Sequence, residues 1–93
     1  MKLYQITYDL RNHRNYEELY ERLQAFRQSC RPLESTWIIR SDQRAEAICE
    51  HLRQVLDDDD GMLVTELTGV AGGTNLRSRE ETLYFRKMLS SNG

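Results

Sequence analysis

The segment Tyr8-Asp9-Leu10-Arg11-Asn12-His13-Arg14-Asn15-Tyr16 gathers one carboxylate, two guanidiniums, an imidazole and two amides into a short run of chain. Two chemistries suit these residue types. In the first, Asp9 is a metal ligand. Magnesium takes one or two carboxylates together with waters and phosphate oxygens, and the bound ion polarises a phosphate and lowers the pKa of its water. Arg11, His13 and Arg14 would then grip phosphates, Arg being suited to bidentate contacts with them. In the second, the segment is a capped turn: Asp9 is a turn residue, and the cations form surface ion pairs with the run Asp57 to Asp60.

Other candidate motifs fail on spacing. If Gly61 were the glycine of a calcium loop, Leu56 and Leu67 would occupy the positions that need Asp and Glu, so the four aspartates read as a solvated turn that repels nucleic acid. The stretch from Gly69 to Asn75, GVAGGTN, lacks the Lys-Ser/Thr ending of a phosphate-binding loop and reads as a hinge. Cys30 and Cys49 have neither CxxC nor zinc-ligand spacing and are expected as reduced thiols. His51 lies opposite an apolar stripe and is expected on the surface.

Composition bounds the class of protein. The chain has 93 residues, 39% hydrophobic and 30% charged, with one Pro and a net charge of −2, which describes one ordinary globular domain. That charge exerts no global pull on nucleic acid, so any such binding needs a local basic patch. No apolar run approaches the roughly 18 residues of a membrane span, and MKLYQITYDL does not read as a signal peptide, so a cytoplasmic protein is expected.

Periodicity supplies the elements that must position Asp9 and its neighbours. Lys2 to Leu10 alternates, with Tyr4, Ile6, Tyr8 and Leu10 on one face and Leu3, Gln5, Thr7 and Asp9 on the other, as a strand does. Asn15 with Glu18 resembles a capping box. The spacing of Tyr16, Leu19, Tyr20, Leu23 and Phe26 predicts a helix over Tyr16 to Gln28. Arg31 to Arg40 is β-rich, starting at a Pro that suits a strand start or edge. Asp42 can cap a second helix, whose stripe is Ala45, Ile48, Cys49, Leu52, Val55 and Leu56. MLVTELT is another strand, and Ser78 with Glu81 makes a capping box before an amphipathic segment from Arg79 to Leu89.

Two architectures fit this order. If Arg31 to Arg40 is one strand, the chain is a parallel βαβαβ unit; if it folds back, the chain is βαββαβ, the ferredoxin-like arrangement. No Gly or Asn marks a turn there, which favours the single strand or a sharply bent pair. The alternation of the first strand favours a sheet with helices on one face only, because parallel strands are usually buried on both faces. Leu3, Gln5, Thr7 and Asp9 would then share the open face with Val64 and Glu66, provided Leu63 and Leu67 face the core. A half-apolar open face is commonly buried against a second copy, so a homodimer is expected, with Asp9 near its symmetry mate.

These residues carry a resemblance. Tyr8-Asp9 ending the first strand, Ser35-Thr36-Trp37, a helix straight after Ser41-Asp42 and the strand MLVTELTG resemble the CRISPR-associated Cas two family over Met1 to Gly69, and more closely its CRISPR-independent relatives. Virulence-associated protein D toxins are a more distant likeness. The resemblance implies a ferredoxin-like α+β homodimer, an antiparallel sheet with helices on one face, to which the residues themselves add a C-terminal tail helix. It places Asp9 at the dimer cleft as the Mg2+ ligand of an endonuclease acting on RNA or DNA. Some members of that family act instead as non-catalytic scaffolds that hold DNA. Trp37 stands where Phe is usual, Thr36 replaces a more apolar residue, and the segment 70–93, read as a glycine hinge and helical tail of the same domain, departs from the family's short closing strand. Two function classes follow: a magnesium-dependent phosphodiesterase built on Asp9 with Arg11, His13 and Arg14 on the nucleic acid, or a nucleic-acid- or protein-binding scaffold without catalysis.

Overall fold

Tyr4, Ile6 and Tyr8 alternate with Leu3, Gln5 and Thr7 to make β1 (Lys2–Asp9) in the computed structural model, which describes residues 1–90. It is followed by α1 (Glu17–Gln24), β2 (Gln28–Leu33), β3 (Thr36–Ser41), α2 (Ala45–Arg53), β4 (Gly61–Leu67) and α3 (Arg79–Ser90). The four strands form one antiparallel sheet in the order β2-β3-β1-β4. The parallel alternative is thereby excluded, and Arg31 to Arg40 is the greater part of a hairpin.

That hairpin turns at Glu34-Ser35 with no residue at positive φ. Its conformation is held by the neighbouring strand and by a side chain of the hairpin itself. Tyr8 N–H donates to Ser35 O at 3.1 Å, the Arg31 guanidinium donates to Glu34 O at 2.7 and 2.9 Å, and an irregularity between Cys30 and Leu33 turns β2 toward the bend. The early start of β2 also shortens α1. Gln28 pairs with Arg40, so the helix closes at Gln24, with the N–H groups of Ala25 and Phe26 bonded to the carbonyls of Glu21 and Leu23.

Two of the three expected helix caps are absent. Tyr16, not Asn15, is the first cap residue of α1, and the Asn15 amide turns to Glu17 Oε2. Arg44 stands at the cap of α2, while Asp42 lies 3.5 Å from the N-terminal amine. Ser78 does cap α3: its Oγ accepts from Glu81 N–H at 3.1 Å.

The stripes of α1 and α2 cover one face of the sheet. Leu19, Leu23, Ile48, Leu52 and Val55 pack there on Tyr4, Ile6, Tyr8, Trp37 and Ile39. Burying each of these large apolar side chains contributes about 1.5–3 kcal/mol. Residues directly opposite on paired strands share a face. Because Ile6 lies opposite Val64 and Tyr8 opposite Met62, Val64 and Met62 face this core. The parity expected for β4 is thus reversed, and Leu63 and Leu67 lie on the second face.

That second face is not open throughout. α3 crosses its β2 side, where Met88 seals a smaller cluster with Leu3, Cys30 and Ile38, flanked by Leu67, Phe85 and Leu89. Helices therefore lie on both faces, and part of the surface assigned to a second copy is covered by the chain's own tail helix. Arg40, 5% exposed, joins the two layers by donating to Met88 O at 2.7 Å and to Gln28 Oε1 at 2.8 Å. Among the described residues no buried side-chain nitrogen or oxygen lacks a partner.

Candidate functional site

Antiparallel pairing of β1 with β4 sets Asp9 opposite Gly61, so the segment leaving β1 and the acidic turn leading into β4 meet at one end of the sheet. The expected neighbourhood of Arg11 and Arg14 with Asp57 to Asp60 is present, in a denser form than ion pairing alone. Arg11 N–H donates to Asp60 Oδ1 at 2.8 Å, and its guanidinium reaches Asp59 O and Asp9 Oδ2, the latter at 3.2 Å from Nη2. Arg14 Nε donates to Asp57 Oδ2 at 2.9 Å and Nη2 to Val55 O at 3.1 Å, with the guanidinium 4.0 Å over the Tyr16 ring. The Asn12 amide bridges Asp57 Oδ2 and Asp59 Oδ1 at 2.9 and 2.8 Å. His13 is exposed in the same loop.

Tyr16 and Asp60 complete this clamp. The Tyr16 ring is 4% exposed, and its hydroxyl donates to Asp60 Oδ1 at 3.0 Å. Asp60 Oδ2 accepts from Asp57 N–H at 2.8 Å, and Asp60 N–H donates back to Asp57 O at 3.1 Å. Burial alone would raise the Asp60 carboxyl; the N–H groups of Arg11 and Asp57, the Tyr16 hydroxyl and Arg14 outweigh it and hold the pKa below the usual carboxylate value. Burial and the bond to Asp60 push the Tyr16 phenol upward, and the hydrogen bond to Asp57 raises Arg14.

Asp57, Asp59 and Asp60 each present a carboxylate oxygen within 4.8 Å of the others, a spacing that could surround a cation. The same carboxylates already accept hydrogen bonds from Arg11, Asn12, Arg14 and Tyr16, which is the chemistry of a cross-linked turn. Asp9 stands apart from the three. Its side chain is 72% exposed, at the end of β1 and on the second face of the sheet, with Arg11 as its ion-pair partner.

Spacing along the chain did not disclose Tyr16 or Asn12 as clamp residues. Tyr16 shares the helical period of α1, and only the meeting of two distant segments gives its hydroxyl an acceptor. Ser35 and Trp37, the other residues behind the family resemblance, hold the hairpin. Ser35 O accepts from Tyr8 N–H, and the buried Trp37 indole N–H donates to Tyr8 Oη at 3.1 Å, which donates on to Glu34 O at 3.3 Å. Trp37 stacks on Tyr20 with ring centroids 6.5 Å apart.

Comparison with models of protein families, with curated proteins and with solved structures finds no match to this chain.

Proposed function

We propose that the chain is a non-catalytic, homodimeric binding module of ferredoxin-like topology, in which the Tyr8 to Tyr16 segment is a structural clamp. The observation that carries this reading is the engagement of that segment by the acidic turn, with Arg14 2.9 Å from Asp57 and Arg11 3.2 Å from Asp9. A phosphate at Arg14 would have to displace a carboxylate beside two others, and a magnesium ion at Asp9 would compete with a guanidinium. The element order βαββαβ with strand order β2-β3-β1-β4 supports the ferredoxin-like topology. The net charge of −2 supports a protein partner over a nucleic acid. Two free cysteines support residence in the reducing cytoplasm.

One observation favours a second reading, the magnesium-dependent endonuclease that the resemblance to Cas two implies. The Asp9 and Arg11 side chains are 72% and 53% exposed, so their ion pair lies in solvent, where such pairs are weak and an ion can compete. In that reading Asp9 holds Mg2+ with the Asp9 of a second copy, and Arg11, His13 and Arg14 hold the RNA or DNA backbone. Labelled single-stranded RNA and duplex DNA, incubated with magnesium, manganese or chelator, separate the two. The binding module leaves both substrates intact, and neither is retained in a salt-dependent manner. Magnesium-dependent cleavage by the wild type that Asp9→Asn abolishes, on an intact fold, would establish the nuclease and remove the module.

A further inference from the structure

The two edges of the sheet are treated differently. At β2, Pro32 and the irregularity between Cys30 and Leu33 interrupt the strand, and two of its backbone groups are taken. Glu81 Oε2 accepts from Arg31 N–H at 2.8 Å, and Arg77 N–H donates to Pro32 O at 2.7 Å. These are the devices by which a sheet protects an edge from another strand. At β4 they are missing. Gly61–Leu67 pairs with β1 in unbroken register, contains neither Pro nor Lys, and carries Leu63 at 65% exposure. Among the described residues no element lies beyond it.

We propose that this edge is the interface between two copies of the chain, β4 pairing antiparallel with the partner's β4 about a two-fold axis perpendicular to the sheet at Thr65. Such an axis keeps the α1–α2 layers of both copies on one side, and its register follows from charge together with apolar matching. An axis at Glu66 would set that carboxylate against itself, and one at Leu63 would set Asp60 against the partner's Glu66, both costly across strands. Axes at Val64 and Thr65 both oppose no like charges, but one at Val64 would set exposed Leu63 against the partner's Thr65. The axis at Thr65 brings exposed Leu63 opposite the partner's half-buried Leu67 twice, on the face that α3 covers only in part. The two β4 strands then continue one eight-stranded sheet. The two Asp9 residues, each beside Gly61, end roughly 27 Å apart along the strand direction at about 3.4 Å per residue. They cannot share one ion, so this assembly belongs with the binding module and not with a nuclease cleft.

The inference rests on the homodimer of the reading above and names its interface, so the test separates the two. Sedimentation equilibrium of the full chain is expected to give twice 11.0 kDa for the wild type and 11.0 kDa for Thr65→Lys, which opposes two ammoniums at the axis. Circular dichroism of that variant should match the wild type, since Thr65 is exposed, while its melting should lose the concentration dependence of a dimer. Under mild oxidation Thr65→Cys should become a covalent dimer, whereas Leu33→Cys, on the protected edge, should not. A monomeric wild type would remove the homodimer itself. A dimer that survives Thr65→Lys, with no covalent dimer from Thr65→Cys, would overturn the β4 interface and leave the homodimer standing.

Discussion

The Tyr16 hydroxyl donates to Asp60 Oδ1 at 3.0 Å, tying the loop that leaves β1 to the turn that starts β4 across 44 residues of sequence. Arg11 N–H donates to the same oxygen at 2.8 Å, so one carboxylate oxygen joins two chain segments. Tyr16→Phe removes one of these bonds and keeps the ring. It is expected to lower the urea midpoint with an unchanged m-value; Asp60→Ala, which removes both bonds and the link to Asp57, is expected to lower it further.

The depressed pKa of Asp60 fixes the direction of an acid effect. A carboxyl whose folded pKa lies below its unfolded one contributes stability that is present above the unfolded value, about 3.9, and lost as pH falls through the folded value. Thermal midpoints recorded downward from pH of about 5 should therefore fall in the wild type. Asp60→Asn should start lower at neutral pH and fall less steeply; parallel curves would show that Asp60 is not the titrating group.

Burial pushes the Cys30 thiol from 9.0 up to about 12, with Glu81 adding to the effect. A raised thiol pKa favours the neutral form in the fold. The associated stability is complete below about 9.0 and lost as pH rises toward about 12, where the unfolded chain ionises first. Iodoacetamide at mildly alkaline pH should label Cys49, which is half-buried, well before Cys30, and unfolding in urea should equalise the two.

Leu52 is fully buried at the centre of the α2 stripe, so Leu52→Ala should cost about 2–5 kcal/mol. Tyr8→Phe leaves the Trp37 indole N–H without its acceptor and should cost about 1–3 kcal/mol. Both follow from denaturant titration, and indole fluorescence reports the second directly, since Trp37 is the chain's one Trp.

Much of the frame is legible in the sequence because it depends on local periods. The alternation of Tyr4, Ile6 and Tyr8 and the stripe of Ile48, Leu52 and Val55 each mark an element and the face it buries. The hairpin at Glu34-Ser35 is not legible, since it lacks turn residues and is shaped by Tyr8 and Arg31. The period of α3 states that it has an apolar side, not which layer of the sheet receives it. The parity of β4 stays open until its register with β1 is known, because Met62 and Leu63 are both apolar and point opposite ways. The clamp was legible as opposite charges at one sheet end, but the roles of Asn12 and Tyr16 depend on tertiary register.

The central position of β1 also governs when the chain can fold. β1 is flanked in the sheet by strands that come much later in the chain: Lys2 pairs with Ser41, and Leu3 pairs with Leu67. Until β4 has emerged, a growing chain can at most assemble the hairpin with one side of β1. The other side of β1, with Tyr4 and Ile6 between unpaired amides, stays open to whatever strand arrives first. Sheet closure is therefore a late event dominated by distant pairings, the class of topology that folds slowly relative to helical bundles.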